Sequence, residues 1–79
     1  MTRSKSSWVV KVAVPERSPV EGKRLAEIDF PHNSVVVAVD RPDRDLEIPT
    51  GDTTLHAGDA MIVIVKNGAA ERIRAILGA

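Results

Sequence analysis

Two segments of the sequence are apolar at every position, and they constrain the fold more than any other feature. They are Val35–Val39 (VVVAV) and Ala60–Val65 (AMIVIV). Both are too short to be separate helices and both are rich in β-branched residues, so they predict β-strands. A strand with one face in water alternates apolar and polar residues, whereas these strands need cover on both faces. A chain of 79 residues without cysteine has little to cover the second face, so we predict a dimer.

The composition indicates one small globular domain. Hydrophobic residues make up 43% of the chain and charged residues 28%, which is ordinary for a folded protein. Eleven Lys and Arg balance eleven Asp and Glu, and this neutrality argues against a DNA- or RNA-binding domain that neutralises phosphates.

The longest apolar run is far shorter than the roughly 20 residues that span a bilayer. Lys11 interrupts the apolar segment near the N-terminus, which argues against a signal peptide. We expect a cytoplasmic location.

The patterns along the chain predict one α+β domain at residues 8–79, after a flexible N-terminus at residues 1–7. The predicted order is β-α-β-β-β-α, a small, mostly antiparallel sheet with two helices and room for one more short strand near Thr54. The predicted elements are a strand at Trp8–Val14, a short helix at Lys23–Ile28, a strand at Val35–Val39, a returning strand at Leu46–Pro49, a strand at Ala60–Val65, and a C-terminal helix with Asn67 as N-cap, Gly68 as first residue and Ile73, Ile76 and Leu77 on its buried face.

No pattern in the sequence indicates a catalytic or metal site. His32 and His56 each lie in a polar turn without a second ligand at helical spacing, so both are predicted to be solvated. The acidic residues within 40–47 are interleaved with two arginines, which indicates a solvated hairpin tip and not a calcium loop. Asp52 and Asp59 fit turn positions, where carboxylates accept hydrogen bonds from nearby amides. The glycines form no phosphate-binding loop, so we expect no enzymatic activity, metal or cofactor.

Four motifs follow one another over Val9–Leu77. They are VKVAVPERSPVEGKRLAEIDFP, VVVAVDR, LEIPTGDTTLHAGDAMIVIV and a closing ERIRAIL helix. Together they resemble the TrkA-C domain, the C-terminal half of the regulator-of-K⁺-conductance (RCK) module. No single motif is diagnostic, but the ordered set with these spacings is fairly specific. The positions that match the family pattern are Pro15, Ser18, Gly22, Leu25, Ile28, Pro31, Arg41, Pro49, Gly51, Thr53, Leu55, Gly58 and Asp59.

The resemblance implies a regulatory role. TrkA-C domains are cytoplasmic and dimerise, and they sit on potassium channels, cation/proton antiporters, chloride channels and other transporters, where ligand binding changes transport. In full modules an N-terminal Rossmann half binds nucleotide or NAD. We accordingly expect a homodimer that associates with a membrane ion transporter or channel subunit, either as a free-standing subunit or as a domain of a larger transporter.

The resemblance also implies a ligand, because the best-known ligand of these domains is cyclic di-AMP, bound in a cleft across the dimer two-fold axis. The binding pattern in such members is two adjacent Ile or Leu residues, then Asp, then Arg, then Asn before the apolar strand. Leu25 and Asp29 match this pattern. Ala26 is smaller than the pattern requires, while Pro31 and Val35 stand in place of the Arg and the Asn. The residues expected around the cleft are Leu25, Ala26, Asp29, Phe30, His32, Val36 and Pro49.

Two other functions remain open from the sequence. One is a dimerisation module that holds transporter subunits together without a ligand. The other is a small enzyme subunit or carrier, which requires a polar constellation that the sequence does not show. Leu25, Phe30 and Val36 also fit a plain role as core or dimer contacts.

Overall fold

The computed structural model describes residues 7–66 and 68–79, so residues 1–6 and Asn67 lie outside the described part. The small α+β fold with an antiparallel sheet is confirmed, although the element order and the helix count differ from the prediction. The described elements are the strands β1 (Ser7–Ala13), β2 (Ser34–Asp40) and β3 (Ala60–Lys66), a single 3-10 turn (Leu25–Glu27) and the helix α1 (Ala69–Leu77).

The sheet has the order β1-β3-β2, and both strand pairs are antiparallel. The strand β3, which is apolar from Ala60 to Val65, lies in the centre of the sheet, with one strand paired along each of its two edges. Met61, Val63 and Val65 project from one face of β3 into the core and are almost completely buried. The first strand covers Ser7–Ala13, one residue earlier at each end than the predicted strand.

The helix α1 closes the core on this face. Ile73 and Leu77 are fully buried and Ile76 packs partly against the core, which confirms the predicted stripe. The helix begins at Ala69 and not at Gly68, because Gly68 has a φ of 82°, a left-handed conformation that cannot continue a helix. The predicted N-cap lies outside the described residues.

The helix predicted at Lys23–Ile28 is wrong, because the segment forms only the 3-10 turn. Glu27 N–H donates to the carbonyl of Arg24 (2.9 Å), and Ile28 N–H donates to the carbonyl of Leu25 (3.1 Å). Ile28 then adopts extended backbone. The segment is too short to sustain an α-helix on its own. The amides of its first turn instead donate to carbonyls of the loop after β2.

The returning strand predicted at Leu46–Pro49 is reduced to one bridge. Glu47 and Val39 exchange two backbone hydrogen bonds of 2.9 and 3.0 Å. Pro49 has no N–H, so the ladder cannot continue through it. The extra strand predicted near Thr54 is likewise a single bridge. The hairpin is therefore present, but tertiary hydrogen bonds hold it more than a regular ladder does.

Candidate ligand cleft

A cleft of about 280 Å³ opens beside β2, between the 3-10 turn and the loop that follows β2. Leu25, Phe30 and Val36 are partly buried against the core and form the apolar side of the cleft. No charged side chain among the described residues lines it. The lining residues are Leu25, Ala26, Phe30, Val36, Pro49, Thr50 and Gly51.

Two backbone hydrogen bonds hold the 3-10 turn against the loop across the cleft. Leu25 N–H donates to the carbonyl of Thr53 and Ala26 N–H donates to the carbonyl of Gly51, both at 2.9 Å. A Cβ atom at Gly51 would lie only 3.3 Å from the Cβ atom of Ala26. The close approach therefore depends on a glycine on one side and a small side chain on the other, which explains the small residue at position 26.

The buried side chain of Thr53 fixes the shape of the loop that follows β2. Its buried hydroxyl accepts a hydrogen bond from Thr50 N–H (2.9 Å) and donates one to Glu47 Oε2 (3.3 Å). Its own N–H donates to the carbonyl of Thr50 (3.1 Å). These bonds close a tight turn at 50–53, so the wall formed by Pro49 and the two residues after it is held in place.

The structure brings five of the seven residues expected at the ligand site into this cleft. They are Leu25, Ala26, Phe30, Val36 and Pro49. Thr50 and Gly51 also line the cleft but were not predicted to do so, although Gly51 belongs to the motif match and could have indicated the loop. Ligand binding by these residues stays a prediction.

Asp29 and His32 are exposed and do not line this cleft in the single chain, and their part in ligand binding stays a prediction. Phe30 N–H donates to the carbonyl of Ile28 (3.0 Å), which places Asp29 at the apex of a three-residue turn. Phe30 is thereby directed to the core edge, while Asp29 is exposed to solvent.

The cation closest in sequence to the cleft is bound to carboxylates at its rim. Arg24 Nη1 lies 3.2 Å from Asp52 Oδ1, and Arg24 Nε lies 3.5 Å from Glu27 Oε1. The backbone N–H of Arg24 also donates to Glu27 Oε1 (2.9 Å). This backbone bond, followed by the Arg24 side chain, holds the pKa of Glu27 below its ordinary value.

A larger and more polar cavity of about 510 Å³ lies around Arg41. Arg41 donates to Glu47 Oε1 (3.0 Å), to Asp59 Oδ2 (2.8 Å) and to the carbonyl of Thr54 (3.1 Å). Asp59 also accepts a hydrogen bond from His56 N–H (2.9 Å), as its predicted turn position requires. Glu47 is thus tied to Arg41 and is not part of a solvated acidic tip. The side chains of Arg41 and Asp59 are only 14% and 5% exposed, so this group stabilises the fold.

Both histidines are exposed, as predicted. His56 Nδ1 lies 3.1 Å from Glu21 Oε2, and Ala57 N–H donates to the other oxygen of that carboxylate. The bond from Ala57, followed by that from His56, holds the pKa of Glu21 below its ordinary value. The described residues contain no group of three or more His, Cys, Asp or Glu side chains arranged to hold a metal ion.

Comparison with known proteins agrees with the resemblance found in the sequence. The model of the TrkA-C domain family matches residues 9–78, which is nearly the whole chain. The chain belongs to the TrkA-C domain family. This is a regulatory family and not a catalytic one.

The curated proteins that are similar to this TrkA-C domain are named as homologs of the potassium uptake protein TrkA. The chain is 34% identical over 70 residues to the Trk system potassium uptake protein TrkA homolog of Archaeoglobus fulgidus, covering 89% of this chain and 16% of that protein. It is 29% identical over 69 residues to the homolog of Pyrococcus horikoshii, covering 87% of this chain and 30% of that protein. The chain therefore spans less than a third of the length of these relatives.

A solved structure described as "Structure of RCK domain with cda" has the same fold. It superposes with a TM-score of 0.75 at 20% sequence identity, covering 86% of this chain and 94% of that one. This similarity confirms the fold of the TrkA-C domain. Within the described residues, no helix is both long enough and apolar enough to span a membrane.

Proposed function

We propose that this TrkA-C domain is a non-catalytic regulatory domain of a potassium uptake system or a related ion transport system. It acts in the cytoplasm as a dimer, it associates with a membrane transporter subunit, and it senses a small ligand in the cleft. The single observation that carries the proposal is the gathering of Leu25, Ala26, Phe30, Val36 and Pro49 around one cleft. The names of the curated relatives support potassium uptake as the process that is regulated.

The chemistry of the cleft suits a flat heteroaromatic ring. The Phe30 ring and the aliphatic side chains beside it offer an apolar surface on which a purine base stacks. The exposed backbone around Gly51 allows close approach. Cyclic di-AMP carries two purines related by a two-fold axis, and identical clefts on two chains match that symmetry. We therefore propose cyclic di-AMP as the ligand, bound at one molecule per dimer.

Calorimetric titration of the domain with cyclic di-AMP tests this function. The expected result is heat that saturates at one ligand per two chains. Val36→Ala is expected to weaken binding by about fivefold, because it removes methyl groups from the cleft wall. Val35→Ala is the matched control, since Val35 lies next along β2 and outside the cleft lining, and its affinity is expected to equal that of the wild type. An absence of heat up to high micromolar ligand contradicts the proposal.

One observation favours a second candidate function, an assembly module without a ligand. The positions where ligand-binding members carry Arg and Asn are here Pro31, which is buried, and Val35, which is exposed away from the cleft. The cleft therefore offers no charged donor to a phosphate, and such a donor typically contributes about 1.5–3 kcal/mol. If titration gives no heat while the domain still dimerises, the assembly function replaces the sensor function.

A further inference from the structure

The two edges of the sheet differ in how the chain covers them. On β2, the N–H and carbonyl groups of Val39 that point away from β3 are bonded to Glu47. A register shift between Val36 and Ala38 also interrupts that edge. The strand β1 forms the opposite edge, and its ladder pairs it with β3 alone. Its seven residues contain no register shift, so β1 is the regular edge of the sheet.

The backbone of β1 directs a row of hydrogen-bonding groups away from the sheet. Val14, just after the strand, donates from its N–H to the carbonyl of Asp59 (2.8 Å) and accepts at its own carbonyl from Gly58 N–H (3.0 Å). Backbone groups alternate in direction along a strand, so even-numbered residues of β1 bond to β3 and odd-numbered residues face outward. The outward residues within 9–13 are Val9, Lys11 and Ala13, all of them exposed. Within the described part of the chain, no hydrogen bond is made by the N–H or carbonyl group of these three residues.

A charged side chain on an edge strand normally keeps other strands from pairing with it. Lys11 is the only charged residue of β1, but its side chain is drawn away from the edge. Its Nζ lies 2.9 Å from Asp40 Oδ2, and Asp40 belongs to β2, on the far side of β3. The Lys11 side chain therefore reaches over the sheet, and it does not guard the outward groups of β1.

An apolar groove follows the same strand on the face that α1 covers. It has a volume of about 290 Å³ and lies between β1 and the helix, with Trp8 and Val10 on one side and Ala70 and Arg74 on the other. Trp8 is 55% exposed there. Side chains directly opposite each other on paired strands share a face, with Cβ atoms about 4.5–5.5 Å apart. Two side chains of a strand added to β1, those opposite Trp8 and Val10, would therefore reach this groove.

We propose that an extended segment of a partner protein adds to the edge of β1 as a further strand of the sheet. Its backbone bonds to the outward groups of Val9, Lys11 and Ala13, which provides affinity, and its side chains provide selectivity. The segment is apolar opposite Trp8, Val9 and Val10, because these side chains leave apolar surface open on both faces of β1. It is acidic opposite Lys11, since opposite charges on paired strands attract.

The occupant of this edge is a different protein and not a second copy of the chain. In the proposed dimer the shared ligand lies in the cleft, which opens beside β2, whereas β1 is at the other edge of the sheet. A copy held at the cleft therefore leaves the edge of β1 to another partner. The choice of occupant rests on the proposed function in this respect, while the unpaired edge and the groove do not depend on it.

The fluorescence of Trp8, the only tryptophan of the chain, tests the proposal with a defined probe. The probe is the capped peptide Thr-Ile-Glu-Leu-Val-Leu-Thr, flanked by Gly-Lys pairs for solubility. When it pairs antiparallel with β1, its Glu lies opposite Lys11 and its Leu-Val-Leu lies opposite residues 8–10. The domain without cyclic di-AMP is expected to bind it with a dissociation constant of roughly 10 µM to 1 mM, and the emission of Trp8 is expected to shift to shorter wavelength as the ring leaves water. The same peptide with an N-methyl group on its Val loses the donor to the Val9 carbonyl, and it is expected to bind at least about tenfold more weakly.

Val9→Pro tests the edge from the side of the domain. It removes an outward N–H and no bond to β3, and proline is tolerated at such positions of edge strands, so the variant is expected to fold and to bind the probe at least about tenfold more weakly. Val9→Ala is the matched comparison, because it keeps the N–H and is expected to lose less than about threefold. Equal binding of the probe by Val9→Pro and the wild type, equal binding of the N-methylated peptide, or no change in emission up to about 1 mM probe overturns the proposal. The comparison of the two peptides uses the wild-type domain and holds even if the proline variant does not fold.

Two further measurements separate this proposal from its neighbours. An emission of Trp8 that shifts with the concentration of the domain, and not with the probe, indicates that a second copy occupies the edge and overturns the proposal. Calorimetry with cyclic di-AMP is expected to give the same affinity for Val9→Pro as for the wild type, because the cleft is at the other edge of the sheet. If the wild type binds the probe but not cyclic di-AMP, the sensor function fails while the inference about β1 stands.

Discussion

The polar cavity around Arg41 and the apolar cleft beside β2 differ in what their side chains are bonded to. The polar cavity is the larger, but the guanidinium of Arg41 is already bonded to Glu47, Asp59 and a backbone carbonyl. The cleft is smaller and lined by uncharged groups, and Phe30 and Val36 there remain partly exposed. A group whose hydrogen bonds are satisfied inside the protein has little left to offer a ligand. Cavity volume alone is therefore a poor guide to function here, and the cleft is the better candidate.

The largest effect is expected from Arg41→Ala. This change leaves Asp59 buried with an uncompensated charge, which typically costs about 3–5 kcal/mol. We expect the free energy of unfolding, measured by urea denaturation, to fall by that amount or the domain to be unfolded without urea. Arg44→Ala is the control because Arg44 is exposed, and it is expected to stay within about 0.5 kcal/mol of the wild type. A fully stable Arg41→Ala variant contradicts the structural role of the polar cavity.

The next effect is expected in the cleft, from Phe30→Ala. Loss of an aromatic surface for a base costs about 1–3 kcal/mol, so the affinity for cyclic di-AMP is expected to fall between about fivefold and 150-fold in a calorimetric titration. Phe30→Leu keeps the packing against the core and is expected to be folded like the wild type while still losing the aromatic surface. If both variants bind as tightly as the wild type, the ligand does not contact Phe30.

A smaller effect is expected at Thr53, which connects the two cavities through Glu47 and Thr50. Thr53→Val removes the buried hydroxyl and leaves Thr50 N–H without its partner, at a cost of about 1–2 kcal/mol. Chemical denaturation is expected to show this loss, and calorimetry is expected to show weaker ligand binding because the loop that forms the cleft is loosened. Thr54→Val is the neighbouring control. Unchanged affinity in a destabilised Thr53→Val variant indicates that the cleft does not depend on the polar cavity.

The smallest effect is expected on thermal stability at low pH, through the carboxylate of Glu21 at the rim of the polar cavity. The pKa of Glu21 is lowered in the folded state from its ordinary value of 4.5, mainly by the Ala57 amide. The unfolded state therefore binds more protons near that pH. The stabilisation is present above pH 4.5 and is lost as pH falls through the lower folded pKa. Glu21→Gln is expected to reduce the fall in melting temperature between pH 6 and pH 3.5. An identical fall in the wild type and the variant shows that Glu21 does not contribute.

The parts of the fold that depend on local pattern could be predicted from the sequence. The apolar run AMIVIV predicted the third strand to within one residue, because it is rich in β-branched residues and too short for a separate helix. The buried stripe of α1 followed from helical spacing at Ile73 and Leu77. The segment at Lys23–Ile28 could not be predicted, because its conformation is decided by hydrogen bonds to Gly51 and Thr53, more than twenty residues away.

The candidate site could be predicted only through the family resemblance. Periodicity and composition carry no signal for the cleft, since its walls are ordinary apolar residues that also fit the core. The resemblance named Leu25 and Pro49, which line the cleft, together with Asp29, which does not line it. A three-residue turn, which depends on a backbone hydrogen bond between Ile28 and Phe30, directs Asp29 away, and no side-chain motif reports such a turn.

Amide chemical shifts of the isotopically labelled domain during titration with cyclic di-AMP test the central claim most directly. The largest changes are expected at Ala26, Val36 and Gly51 around the cleft, and none at His56 and Ala57 in the polar cavity. Changes concentrated around the polar cavity, or no changes at saturating ligand, contradict the claim that the cleft is the sensing site.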